Sequence, residues 1–205
     1  MRNLVFGANF TLAAVLLIMT GRPAQANAVA IYTLNGNVND SSYTSYNGTV
    51  SGTTAYTSSP SGLVFSFNGA TSISTTTTDN LGLVNASFTV LADVYLNTVA
   101  VDQPIFGGGF PGGDDDLHLI VRNGSPYMGF YGDDTASSTV LSADTWSELA
   151  FVFDAVTGTQ TIYVNDILDA KSSGHDPFEG SGATATIGSA LGEDLNGAIA
   201  NLETR

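Results

Sequence analysis

The sequence predicts an all-β, antiparallel fold, and three observations carry the prediction. Beyond Ala26 the segments are short, rich in Val, Ile, Thr, Tyr and Phe, and interrupted every few residues by Gly, Asn, Asp, Ser or Pro. No window of helical length carries an apolar stripe at 3.6-residue spacing, and 23 glycines weaken any helix that might compete. Asn-Gly at 123–124 sits between two alternating runs, the strongest short-range hairpin signal. A two-sheet sandwich or a closed barrel is the architecture left by these patterns.

In chain order, Met1–Ala26 reads as a secretory leader rather than as structure. Arg2 supplies the positive start, and Phe10–Met19 is almost wholly apolar. Arg22 and Pro23 break the run, and Ala24-Gln25-Ala26 offers the small-x-small pattern of a cleavage site. The apolar stretch falls short of the ~20 residues a membrane span requires. The expected mature chain, Asn27–Arg205, suits one domain that can bury a sizeable core. It has no cysteine, so packing and backbone pairing must hold the fold without disulfides.

The polar segment Thr71–Asp79 is flanked by apolar runs and is expected to be a short polar strand with its loop. Leu117–Arg122, Asn123-Gly124 and Ser125–Tyr131 form the first readable hairpin. Its register sets Arg122 against Ser125, Ile120 against Tyr127, Leu119 against Met128 and Leu117 against Phe130. Leu117, Leu119, Val121, Met128 and Phe130 then share a core face, while Asp116, His118, Ile120, Arg122, Tyr127 and Tyr131 point outward. The second hairpin pairs Glu148–Phe153 with Thr161–Val164, and Asn165-Asp166 turns the chain back into Ile167-Leu168. Trp146, the only tryptophan, is expected to pack in the core.

Charge excludes some partners. Only Arg122, Lys171 and Arg205 remain beyond the leader against all 19 carboxylates. Nucleic acid and anionic membrane surfaces are poor partners for such a chain, whereas cations, neutral sugars and other proteins remain open.

Four ordered stretches resemble the LamG-like jelly-roll domains of the concanavalin A-like lectin and glucanase superfamily. The first is Leu34–Ser42 with Asn47-Gly48-Thr49-Val50, and the second is Phe65–Ala70 with Ser87–Val90. The third is Trp146–Asp154 with Thr157–Gln160, and the fourth is Tyr163–Asp166. Ile187-Gly188 and Asn196–Ile199 resemble the family's last strands. Asn165-Asp166 departs from the usual Asp-Gly turn. The resemblance implies a two-sheet antiparallel jelly-roll sandwich over residues 27–205. It does not specify function, because the fold hosts lectins, adhesion modules, hydrolases and structural domains.

Hydrolases of this superfamily place catalytic glutamates close together on one strand face. Here Glu148, Glu179, Glu193 and Glu203 are far apart in sequence, and neither His118 nor His175 belongs to a recognisable catalytic motif. The expectation is a secreted, extracellular or cell-surface binding module for carbohydrate or a protein partner, without catalysis. A structural coat or matrix protein and a divergent glycoside hydrolase are the alternatives.

Tyr127, Tyr131 and His118, beside Asp116, combine aromatic rings with hydrogen-bonding groups and form the candidate ligand site; cross-strand packing by the tyrosines is the competing reading. Register carried outward from the Asn-Gly turn sets Asp116 against Tyr131 and Asp114 against Asp133. With Asp115 and Asp134 alongside, and Gly107–Gly113 read as a mobile loop rich in carbonyls, this end of the hairpin is a candidate Ca²⁺ site. A solvated acidic loop pair is the alternative. Related LamG-like domains often hold calcium at loop ends, so the resemblance points the same way.

Overall fold

The computed structural model describes residues 28–59 and 62–205, so the expected leader Met1–Ala26 lies outside the described residues. Among the described residues there are strands and no helix. The first half contains β1 (Ala30–Tyr32), β2 (Thr49–Ser51), β3 (Tyr56–Ser59), β4 (Gly62–Asn68), β5 (Ser72–Thr77), β6 (Phe88–Leu96) and β7 (Gln103–Gly109). Next come β8 (Asp116–Arg122), β9 (Ser125–Gly129), β10 (Asp134–Ala136), β11 (Trp146–Asp154), β12 (Thr159–Val164) and β13 (Ile167–Ser173). The chain ends with β14 (Thr184–Ile187), β15 (Ser189–Ala190), β16 (Glu193–Asp194) and β17 (Asn196–Thr204).

Fifteen of these strands form two large antiparallel sheets, and β15 and β16 pair in a separate two-stranded hairpin. One large sheet runs β13-β12-β11-β6-β17-β4-β3, with β1 also paired to β17; the other runs β10-β9-β8-β7-β14-β5-β2. The two-sheet jelly-roll sandwich expected from the sequence is the observed fold. Period-2 alternation explains the packing of its longest strands. In β6, Phe88, Val90, Ala92, Val94 and Leu96 are buried while the intervening residues are less so. In β11, Ser147, Leu149, Phe151 and Phe153 are buried in the same way. The core between the sheets includes an aromatic group in which Phe130 lies 5.0 Å from Phe153, 5.8 Å from Phe178 and 6.1 Å from Phe88.

Both hairpins form between the segments read from sequence, and the first keeps the expected register next to its turn. β8 and β9 pair Arg122 with Ser125, Ile120 with Tyr127 and Leu119 with Met128, around Asn123 and Gly124 at φ 52° and 82°. Leu117, Leu119, Val121, Met128 and Phe130 are all fully buried. β11 and β12 pair Leu149 with Val164 through Asp154 with Thr159. The Asn165-Asp166 turn has two positive φ values, 50° and 65°, which Asn and Asp tolerate better than bulkier residues. Thr71–Asp79 contains the expected polar strand, β5.

The structure corrects four local expectations. The ladder of β8 with β9 ends at His118 and Gly129, so Leu117 has no partner in Phe130. Tyr131 and Gly132, at φ 75° and 90°, then turn the chain back into β10, where Asp134 pairs with Gly129. Neither Asp116–Tyr131 nor Asp114–Asp133 is therefore a cross-strand pair. Gly107, Gly108 and Gly109 belong to β7 rather than to a loop; a Cβ on Gly107 would sit 2.6 Å from the Ala190 Cβ. That contact also places the β15–β16 hairpin against β7. His118 and Ile120, expected to face solvent, are 2% and 1% exposed.

The Asn47-Gly48 motif has a local explanation. The Asp40 backbone N–H donates to Asn47 Oδ1 at 3.1 Å. A Cβ at Gly48 would lie 2.8 Å from the Val38 carbonyl oxygen and 2.5 Å from Ile73 Cγ2, so the close approach requires glycine.

Candidate carbohydrate-binding face

Of the residues expected to form the ligand site, the structure stacks Tyr127 on His118 and sets Tyr131 in a hollow with Asp116. Tyr127 is half-buried, with its ring stacked on His118 at 5.9 Å and the Arg122 guanidinium 4.8 Å from its centroid. Its hydroxyl donates to Asp134 Oδ2 at 2.9 Å. His118 is buried, with Nδ1 2.9 Å from the Asp116 carbonyl and Nε2 3.2 Å from Asp134 Oδ1. A Cβ on Gly129 would collide with both Asp134 Oδ1 and His118 Nε2, so glycine makes room for this pair. These contacts commit Tyr127 and His118 to packing between strands. Tyr131 alone of the three is exposed, at 48%, and shares a hollow of about 550 Å³ with Asp116, Thr184, Thr186 and Leu191.

Of the five aspartates expected around a cation, Asp133 and Asp134 have separate partners. Burial alone would raise the Asp134 pKa, but hydrogen bonds from His118 and Tyr127 outweigh it and hold the carboxyl below its ordinary range. Asp133 Oδ1 contacts His175 Nδ1 at 2.5 Å, and its Oδ2 accepts the Asp176 N–H at 3.0 Å. Burial, followed by the charges of Asp133, Asp176, Glu179 and Asp115, pushes Asp114 upward. Burial also raises Asp116. Among the described residues, no group of three or more His, Cys, Asp or Glu side chains could hold a metal ion. The turn at Tyr131 and Gly132 sends Asp133 and Asp134 toward different histidines, His175 and His118.

A different face gathers aromatic and polar groups. Trp146, expected in the core, is half-buried on the outer side of the eight-stranded sheet. In β11 the inward places go to Ser147, Leu149, Phe151 and Phe153, which leaves Trp146 and Glu148 on the other side. Trp146 pairs in register with Tyr95 of β6, and Glu148 with Asp93. The two rings lie 5.6 Å apart at 51° and pack on Val64, Ala198 and Ala200. Tyr95 Oη donates to Asp144 Oδ1 at 3.1 Å, fixing the ring; that hydrogen bond, then burial and the Asp144 charge, raises the phenol pKa.

Small residues next to these rings create the concavity. The register continues from Tyr95 to Ala198 of β17 and from Ala198 to Ser66 of β4. Ala and Ser stand too low to fill the space beside two large rings. The resulting hollow is about 530 Å³, with Thr57 and Ser58 on its far wall. A β-bulge between Ile199 and Asn201 turns Asn201 toward Asp93, whose Oδ2 accepts the Asn201 amide at 2.7 Å. Burial, then the charges of Asp166 and Asp93, raises the Glu148 pKa.

Residues 67–203 match the Laminin_G_3 family model, described as the concanavalin A-like lectin/glucanases superfamily. The chain belongs to this superfamily. Solved structures share the laminin-G-like sandwich at low identity, which supports the fold alone. Domain 4 of AbnA, a GH43 extracellular arabinanase from Geobacillus stearothermophilus solved with arabinotriose, is 20% identical. The match covers 87% of this chain and 91% of that domain, with a TM-score of 0.69. The binding domain of Paraclostridial Mosquitocidal Protein 1 is 11% identical over 87% of this chain and 48% of its own, with a TM-score of 0.66. The Ruminococcus gnavus IT-sialidase CBM40 bound to α2,3-sialyllactose is 15% identical over 58% of this chain and 76% of its own, with a TM-score of 0.50. A comparison with curated protein sequences gives no match.

Proposed function

We propose that this laminin-G-like domain is a secreted carbohydrate-binding module whose site is the outer Tyr95–Trp146 face. The observation that carries the reading is the in-register aromatic pair beside Ala198 and Ser66, with hydroxyl-bearing Thr57 and Ser58 across the hollow. A sugar ring presents apolar C–H faces and a rim of hydroxyls. It can place the former on indole and phenol rings and direct the latter to Ser, Thr and Asn side chains. Two neighbours solved with bound glycans are compatible with this choice, and the proposed leader supplies the route of export.

Trp146 is the only tryptophan, so its fluorescence reports directly on this face. Titration with a panel of soluble plant and microbial polysaccharides should change the emission and give a saturable binding isotherm. Trp146→Ala, read by calorimetry because the variant lacks the fluorescent reporter, should weaken binding at least tenfold, about 1.4 kcal/mol, with the fold retained. Saturable binding that is unchanged in Trp146→Ala would refute this location. No binding to any glycan would instead favour a structural or protein-binding role.

One observation favours catalysis as a second reading. Asp93 and Glu148 are cross-strand neighbours on the proposed face, with Asp93 hydrogen-bonded and Glu148 shifted upward, a disposition compatible with a general acid and a partner carboxylate. Release of reducing sugar from a bound polysaccharide, lost in Glu148→Gln, would support it. Binding without release supports the non-catalytic module.

A further inference from the structure

We infer, building on the carbohydrate reading, that the site takes an extended uncharged oligosaccharide of at least three residues and discriminates against acidic sugars. Three hollows join end to end on the outer face. The Tyr95 hollow shares Trp146 with a second, of about 280 Å³, which also contains Asp93, Glu148, Asn165 and Ala200. The second shares Asp93 and Glu148 with a third, of about 240 Å³, bounded by Leu91, Asn201 and Glu203. Trp146 is therefore a ridge between the first two hollows, not the end wall of either.

Strand geometry sets the length of this trough. Tyr95, Asp93 and Leu91 are successive outward residues of β6, paired with Trp146, Glu148 and Ala150 of β11. Two steps of two residues, at roughly 3.4 Å per residue, extend the row by about 14 Å. The first hollow lies to one side of the Tyr95 row and adds to that length. A single sugar ring cannot occupy all three places, whereas a short linear chain can cross Trp146 and reach Asn201.

The charge along the trough selects the ligand. Asp93, Glu148 and Glu203 line its second and third parts, and no Lys or Arg is among the lining residues of the three hollows. The nearby Arg205 is already paired, with its Nε 2.6 Å from Glu203 Oε1. An uronate or sialate would therefore bring its carboxylate beside the negative charges of Asp93 and Glu148, Glu203 being offset by Arg205, and like charges at this range oppose binding. A neutral sugar instead offers hydroxyl donors to those same oxygens. Asn201 orients Asp93 through one oxygen and leaves the other for a ligand hydroxyl.

The test uses arabino-, xylo- and cello-oligosaccharides of two to six residues, with oligogalacturonides of matching length as acidic probes. Binding is read by Trp146 fluorescence and calorimetry. Affinity should rise at least tenfold from the disaccharide to the tetrasaccharide in a recognised neutral series. Oligogalacturonides should bind at least tenfold more weakly than neutral chains of equal length, and Glu148→Gln should narrow that gap. Asn201→Ala should lower tetrasaccharide affinity while leaving disaccharide affinity unchanged, whereas Trp146→Ala should weaken both. Circular dichroism and thermal melting verify that each variant is folded. Neutral binding without length dependence, or equal affinity for acidic and neutral chains, overturns this inference while leaving carbohydrate binding intact. The absence of any sugar response in the folded wild type overturns the parent reading as well.

Discussion

Asp40 provides a quantitative test of how the N-terminal segment is held. Its side chain is buried, with Oδ1 accepting the backbone N–H groups of Ile31 and Ser42 at 2.9 and 2.8 Å. Oδ2 accepts the Tyr46 N–H at 2.9 Å and lies 2.8 and 2.7 Å from the hydroxyls of Ser42 and Thr44. Burial alone would raise the carboxyl pKa, but these donors more than compensate and bring it from 3.8 to about 2. At about 1.4 kcal/mol per unit, the ionised form contributes between about 2 and 3 kcal/mol to folding at neutral pH. The folded pKa is depressed, so this contribution is present above the unfolded value of 3.8 and disappears as pH falls through about 2. Roughly half of it should remain at pH 3. Asp40→Asn should therefore lose about 2–3 kcal/mol in urea denaturation at pH 7, and its deficit against the wild type should shrink by about half at pH 3. A deficit that is the same at both pH values would refute the charge-based argument and leave only shape and hydrogen-bond count.

Other perturbations address the faces, the acidic turn and the leader. Phe130→Asp should cost more than ~4 kcal/mol because it buries an unpaired charge among Phe88, Phe153 and Phe178, while Tyr127→Phe should lose about 1 kcal/mol with the Asp134 hydrogen bond. Similar losses in chemical denaturation would reverse the assignment of faces. Asp134→Asn should lower the melting temperature by the same amount with millimolar Ca²⁺ or with a chelator, since its contacts are His118 and Tyr127; a Ca²⁺-dependent loss would restore an ion to this turn. Terminal sequencing of exported protein should begin at Asn27, and an intact Met1 on that protein would exclude cleavage after Ala26.

Local signals read well where one turn controls both strands. Asn123-Gly124 fixes the two strands around it, and a register set by one turn carries the inward and outward residues with it as far as the ladder lasts. The extrapolation failed three residues beyond Met128, where Tyr131 adopts a positive φ that a bulky side chain rarely takes. No short-range rule marks that tyrosine as a turn residue, although Gly132 beside it is a breaker. Alternation assigns His118 to the outer face but does not give its burial, since Tyr127 stacks on it and Asp134 of β10 reaches its Nε2. Alternation along one strand carries no information about what folds over it.

Trp146 shows where a signal was present and where it was not. The run Trp146-Ser147-Glu148-Leu149-Ala150-Phe151-Val152-Phe153 gives its inward parity to Leu149, Phe151 and Phe153, so the same alternation that placed the core assigned Trp146 to the opposite face. A general preference of tryptophan for interiors obscured that parity. Tyr95 could be assigned outward by the same reasoning within β6, but its partnership with Trp146 could not. That pairing joins strands about fifty residues apart, and the hollow needs Ala198 and Ser66 from two further strands. Each of these small residues looks unremarkable in sequence, because its contribution is the volume it leaves empty beside a large neighbour. The proposed site is thus encoded as a cross-strand row of large, large, small and small side chains rather than as a motif, and it becomes visible only when the sheet order brings that row together.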